Sequence, residues 1–122
     1  MMIFSDEEIS LAKTLRDLGL PWRPAIGQFV YDEAGLIEAP SPFQDRVFFI
    51  LDLKHFLRRT GTVENLIRSM FWLPNWAEAR QILRSLDVAD SEVASKIQEE
   101  LAIESWTELK TLYALIRNKL AK

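Results

Sequence analysis

Chemistry has few places to start in this chain. His55 is the only histidine and there is no cysteine, so thiolate nucleophiles, disulfides and cysteine-based zinc sites are excluded. A Ser-His-Asp arrangement would need His55 beside a serine such as Ser69 or Ser85, with a carboxylate such as Asp52 behind it. Asp52 and His55 stand three residues apart, a spacing that brings two side chains together on one helix face. The serines, however, follow cap or helix logic, and no Gly-x-Ser-x-Gly elbow is present. A helix-face histidine near aspartate and arginine reads as a solvated surface residue. For a metal, only carboxylates remain, with Asp32/Glu33 and Glu99/Glu100/Glu104 as the candidate sets. "YDEAGLIE" (31–38) lacks the alternating oxygen ligands of a calcium loop. The four glycines form no phosphate-cradling loop, and nothing singles out a glycosidase-like carboxylate pair. These residues assign no catalytic group, no metal and no cofactor. An enzyme of unidentified reaction ranks below an interaction protein and a DNA-associated regulator.

The net charge of −3 and pI near 5.2 give no general attraction to a phosphate backbone. A nucleic-acid contact would therefore rest on the local group Lys54, Arg58, Arg59 and Arg68. Lys54 and Arg58 lie one turn apart on a helix. Alternatively, Asn75, Arg80, Gln81 and Arg84 on a helix over 75–86 are residue types able to read bases. Against this, "FWLP" is a poor substitute for a glycine-containing helix-turn-helix turn. Cations near helix C-termini also have a simple electrostatic explanation. A DNA-associated regulator using the 54–68 face or helix 75–86 is the second reading.

The aromatic residues point to surfaces. Tryptophans at element boundaries close cores, but they are also the type most enriched at binding hot spots. Trp72 reads as core, whereas Trp76 and Trp106 are balanced between the two roles. Trp106, at the start of the last helix, is the one expected to be most exposed. Trp76, Trp106 and Tyr113 are therefore the candidate partner contacts.

Several helix starts are written out in full. In "FSDEEI" (4–9), Ser5 caps, Glu8 closes a capping box, and Phe4 with Ile9 forms a hydrophobic staple. The stripe Ile9, Ala12, Leu15, Leu18 then runs to Gly19, where Leu20 folds back on Leu15 and Pro21 forbids continuation. This predicts a helix over about 5–18. "SPFQ" (41–44) repeats the pattern and predicts a helix from Pro42 to Arg59, ended by Gly61. The rival takes "VFFIL" (47–51) as a buried strand, and the later Leu53/Phe56/Leu57 spacing favours the helix. Thr62 starts a short helix. "NWAE" (75–78) is another box, with Asn75 as cap and Glu78 as partner. "DSEV" opens a segment at 90 with Val93, Ala94, Ile97 and Leu101 on one face, and "SWTE" (105–108) boxes a last helix. These last two segments are either two helices or one long one. Phe29/Tyr31, a turn near Asp32–Gly35 and Leu36–Ile37 read as a hairpin near 28–38, with "MFWL" (70–73) as a possible third strand.

Two stretches taken together, "LGLPWRPAIGQFVYD" (18–32) and "FWLPNWAEARQIL" (71–83), resemble small uncharacterised bacterial and phage-associated proteins. That resemblance covers about a quarter of the chain and implies an aromatic strand after Leu-Pro-Trp-x-Pro-x-x-Gly and a Trp-Leu-Pro strand end leading into a helix. It implies bacterial origin and carries no activity and no catalytic residue.

At 122 residues, 48% hydrophobic and 27% charged, the chain has the composition of one soluble globular domain, 1–122. No apolar run approaches a membrane span, and the N-terminus lacks signal-peptide features, so the expected location is cytoplasmic. The expected fold is mainly α with a small antiparallel β-sheet (α+β), with about five to six helices around one core. The leading functional reading is a non-catalytic interaction, adaptor or regulatory protein. It would bind a protein partner or a second copy through the C-terminal helix, 105–121.

Overall fold

The computed structural model describes residues 3–122 and is an α+β fold. Seven helices and a three-stranded antiparallel sheet are present among these residues. They are α1 (Asp6–Asp17), β1 (Phe29–Tyr31), β2 (Val47–Phe49), α2 (Leu53–Thr60), α3 (Val63–Ser69), β3 (Phe71–Leu73), α4 (Trp76–Ser85), α5 (Asp90–Glu99), α6 (Ala102–Ser105) and α7 (Glu108–Leu120). They fall into two compact units. One comprises residues 3–5 and 21–73, the other residues 6–20 and 74–122.

In the first unit the strand order is β2-β1-β3. Phe29 faces Phe49 and Leu73, and Tyr31 faces Val47 and Phe71. Because side chains alternate across a strand, these odd-numbered positions share one face. Aromatic rings fill it: Phe29 meets Phe4, Phe43 and Phe49 edge-on, and Tyr31 stacks on Phe71 at 5.0 Å. Val30 lies on the opposite face, in a buried cluster with Ile50, Phe56, Leu66 and Met70, against which Trp22, Phe48 and Leu57 pack. The Trp22 indole donates to Gln28 Oε1 at 2.9 Å, which satisfies its polar edge.

The expected helix over 42–59 is replaced by a strand and a shorter helix, so the rival strand at 47–51 is the better description. Arg46 adopts a left-handed φ of 64°, which no helix interior accommodates. Ser41 does not cap a helix; its hydroxyl donates to the Val47 carbonyl and accepts from Phe43 N. The Gln44 side chain is taken by the backbone of Ile3 and Phe4. A new start then appears at Asp52, whose carboxylate accepts from Lys54 N at 3.0 Å and caps α2.

The expected hairpin near 28–38 does not form either. The Asp32 carboxylate is buried and accepts from Leu36 N and Ile37 N, at 3.1 and 2.8 Å. These amides are thereby withdrawn from any ladder, and both edges of β1 pair with β2 and β3 instead. The strand at 70–73 does form, as β3.

In the second unit α7 is the central helix. Leu112, Tyr113 and Ile116 are buried, and α7 packs against α1 and α4 and less extensively against α5 and α6. The α1 ending follows its sequence signal: Gly19 has φ 87°, and Leu20 N bonds Leu15 O at 3.0 Å. The α4 capping box also forms, with Asn75 N on Glu78 Oε1 and Glu78 N on Asn75 Oδ1, at 2.8 and 2.7 Å. The segment 91–121, expected as one or two helices, is three: α5, α6 and α7.

Candidate functional site

The sequence-derived chemistry is dispersed into structural tasks. Asp52 caps α2, and exposed His55 meets the Phe56 ring edge-on at 5.9 Å. The Ser69 and Ser85 hydroxyls donate to carbonyls of their own helices, Asn65 O and Ile82 O, both at 2.6 Å. Asp32 holds its own loop, and Glu99 and Glu100 share Lys96 at 3.4 and 3.2 Å. Among the described residues no group of three or more potential ligands gathers to hold a metal.

The base-reading set on helix 75–86 is also engaged. Asn75 and Glu78 bond each other in the capping box. Arg80 Nη2 and Arg84 Nε converge on Asp90 Oδ1 at 3.0 and 3.1 Å, and hydrogen bonding by Arg84 and then Arg80 holds the Asp90 carboxyl below its ordinary range. The guanidinium of Arg80 also lies 5.2 Å from the Trp76 ring. By contrast, Lys54, Arg58 and Arg59 on α2 and Arg68 on α3 are exposed, and none makes an ion pair among the described residues.

The three aromatic candidates separate. Tyr113 is fully buried and its hydroxyl donates to the Pro74 carbonyl. Burial, reinforced by the Glu8 and Glu78 carboxylates, pushes its phenol well above the usual range. It is a core residue, because its position in the α7 stripe faces α1 and α4, so the expectation of a surface contact there is corrected. The buried stripe of α7 is likewise covered within its own unit, which leaves little of that face for a partner. Trp76 is partly exposed beneath Arg80. Trp106 is 91% exposed.

The backbone around Trp106 departs from its sequence signal. Ser105 does not cap α7; it closes the four-residue α6. Trp106 has φ 59° and ends that helix in the position where glycine is usual, with Thr107 N on Ala102 O at 2.9 Å. Leu101 precedes α6 with φ 51°. Two large side chains thus occupy the left-handed region within six residues, at a cost of about 1–2 kcal/mol each. Neither α6 nor α7 has a side-chain cap at its N-terminus.

The outcome of that backbone is an apolar corner. Leu101 is 59% exposed and Ile103 65% exposed, beside Trp106. Next to it lies a groove of about 560 Å³ floored by Val93, Ala94, Ile97, Leu101 and Ile103 and edged by the Arg80–Asp90 pair and Glu104. The buried Arg80 Nε has no acceptor among the described residues. Carboxylates outnumber cations in this part of the chain, although Asp90 is paired with Arg80 and Arg84, and Glu99 and Glu100 with Lys96. Residues 90–108 carry six carboxylates (Asp90, Glu92, Glu99, Glu100, Glu104 and Glu108) and a single cation, Lys96.

Sequence reasoning finds Trp106 but misses Leu101, Ile103 and the groove. Helical spacing puts Leu101 on a buried stripe, and the left-handed turn at 101 leaves Leu101 and residues 103–106 exposed while Ala102 is buried. The apolar run Leu101-Ala102-Ile103 bracketed by Glu99, Glu100 and Glu104 is the available signal. No helix of the described residues is long and apolar enough to cross a membrane. Comparison with protein-family models, curated proteins and solved structures gives no match.

Proposed function

We propose that this chain is a non-catalytic interaction protein of the bacterial cytoplasm, and that it docks a protein partner at the α5–α6 corner. The observation that carries this reading is Trp106, a fully presented indole held on a left-handed backbone within an acidic apolar patch. Strain of that kind clusters at functional sites, and tryptophan is a preferred anchor at protein contacts. Apolar surface at Leu101, Ile103 and Trp106 supplies area to bury. The surrounding carboxylates select a partner whose apolar ridge is flanked by lysine or arginine. The cysteine-free sequence agrees with a reducing compartment.

The test is a titration of a fluorescently labelled helical peptide of leucine and lysine at amphipathic spacing, read by anisotropy. A second peptide has glutamate in place of lysine. The lysine peptide is expected to bind, more weakly as salt rises, and Trp106→Gly is expected to weaken it at least tenfold. Equal binding of both peptides, or binding unaffected by Trp106→Gly, removes the proposal.

A second reading attaches to the exposed cations Lys54, Arg58, Arg59 and Arg68, which suit a phosphate backbone. A low-salt mobility-shift assay tests it. Retardation of duplex DNA that Arg58→Glu/Arg59→Glu abolishes supports nucleic-acid binding, and no retardation on any duplex ends it.

A further inference from the structure

The first unit holds an apolar pocket of about 480 Å³, built where β2 ends and α2 begins. Pro40, Pro42, Phe48, Phe49 and Phe56 line it. Asp52 is its only carboxylate, and no lysine or arginine lines it. Phe48 and Phe49 point to opposite faces of the sheet. A cavity that touches both lies around the open edge of β2, the outer strand of the order β2-β1-β3. Ladder bonds from Asp32 N to Arg46 O and from Ile50 N to Gln28 O, at 2.8 and 2.9 Å, aim the even-numbered positions of this strand at β1. Phe49 therefore turns its N–H and carbonyl away from β1, toward the open edge. Leu51, the next odd position, is 76% exposed although it is large and apolar.

We infer that this pocket binds a small organic ammonium, a protonated primary amine carried on a compact aromatic body. Its volume lies within the range of small-molecule sites, which are mostly apolar with a few placed polar groups. The phenylalanine rings suit an aromatic body, which packs edge-on or offset against them. Asp52 selects the head group. Its Oδ1 caps α2 by accepting from Lys54 N at 3.0 Å, and Oδ2 has no partner among the described residues. Lys54 gives only its backbone to that cap, and its side chain does not line the pocket. An ammonium brings three donors, for which the free Asp52 oxygen and the Phe49 carbonyl are acceptors. His55 also lines the pocket, edge-on to Phe56 at 5.9 Å, and its imidazole makes no hydrogen bond among the described residues. A ligand carboxylate would instead meet Asp52 with no lining lysine or arginine to offset the repulsion. Because Asp52 is exposed, its charge contributes selectivity more than strength. A dissociation constant on the order of 1 mM is expected for a ligand of about ten heavy atoms. The site shares no residue with the α5–α6 corner.

Phenylpropylammonium, phenylpropanol and phenylpropanoate share one body and differ in the head group. Each is titrated to about 10 mM into the full chain and followed by amide chemical shifts. The ammonium is expected to move the Phe49, Leu51 and His55 signals saturably. It is expected to bind about threefold more tightly than the alcohol, with the carboxylate weakest, and added salt is expected to narrow the difference. Asp52→Asn keeps a side-chain oxygen that caps α2 and removes the charge, so ammonium and alcohol are expected to bind alike. Leu51→Ala trims an exposed wall and is expected to weaken both by the same factor. Signals unmoved by the ammonium at about 10 mM, a carboxylate that binds as well as the ammonium, or an ammonium preference that survives Asp52→Asn overturns the inference. Shifts centred on residues 99–106 instead of Phe49 place the amine on the acidic corner and overturn it equally.

Discussion

Trp76 and Trp106 both stand at helix boundaries of the same unit, and their backbones are held in opposite ways. Before Trp76, Asn75 is extended and exchanges two hydrogen bonds with Glu78, so the first turn of α4 is fully capped. Trp76 lies under Arg80 and is partly covered. At Trp106 the local rules are broken. The backbone is left-handed, the neighbouring helix starts have no side-chain cap, and the indole faces solvent. Where every local preference agrees, the residue is holding the structure together. Where several are violated and the result is exposed apolar surface, a function offers the better explanation.

The contrast breaks most severely through the helix behind both boundaries. Leu112→Ala removes a fully buried side chain of α7 and is expected to cost about 2–5 kcal/mol in urea unfolding. Tyr113→Phe leaves the Pro74 carbonyl without its donor and is expected to cost about 1–3 kcal/mol. That substitution also alters the pH profile. The folded-state pKa of Tyr113 is raised, so the stability it confers is fully present below the ordinary phenol range and is lost as pH rises through the raised value. An alkaline unfolding titration is expected to show a shallower loss for Tyr113→Phe than for the wild type.

The next two effects separate the corners themselves. Asn75→Ala removes the cap of α4 and is expected to cost about 1 kcal/mol, with an upper bound near 2. Trp106→Gly is expected to do the reverse, raising stability by about 1 kcal/mol as the left-handed strain is relieved. Opposite signs in parallel denaturation curves would sharpen the contrast, and a destabilised Trp106→Gly would erase it. The smallest effect is Glu104→Lys, where a change within about 0.5 kcal/mol is expected because the side chain is solvated.

The helix boundaries show what could be read from sequence. Gly19, Gly61, Thr62 and the Asn75/Glu78 box act through residues two to five positions apart, and each plays the part its type and spacing predict. The failures arise where a distant partner decides. Ser41, Pro42 and Gln44 spell a helix start, but Gln44 bonds Phe4 forty positions away, and Arg46 turns left-handed. Leu36 and Ile37 look like a strand until the buried Asp32 takes their amides. Ser105 and Glu108 spell a capping box, but tight turns at Leu101 and Trp106 place Ser105 at the end of a separate helix. The apolar corner was half legible for the same reason. The sequence left Trp106 balanced between core and surface and only ranked it as the tryptophan expected to be most exposed, whereas the groove beside it depends on two left-handed residues whose types give no hint of that conformation.

The most direct test of the corner is the affinity of the leucine–lysine peptide for Trp106→Gly, measured beside the wild type in one buffer. A loss of at least tenfold in a variant that is no less stable is the expected result. Undiminished affinity in a folded Trp106→Gly would contradict the assignment of this corner as the docking surface.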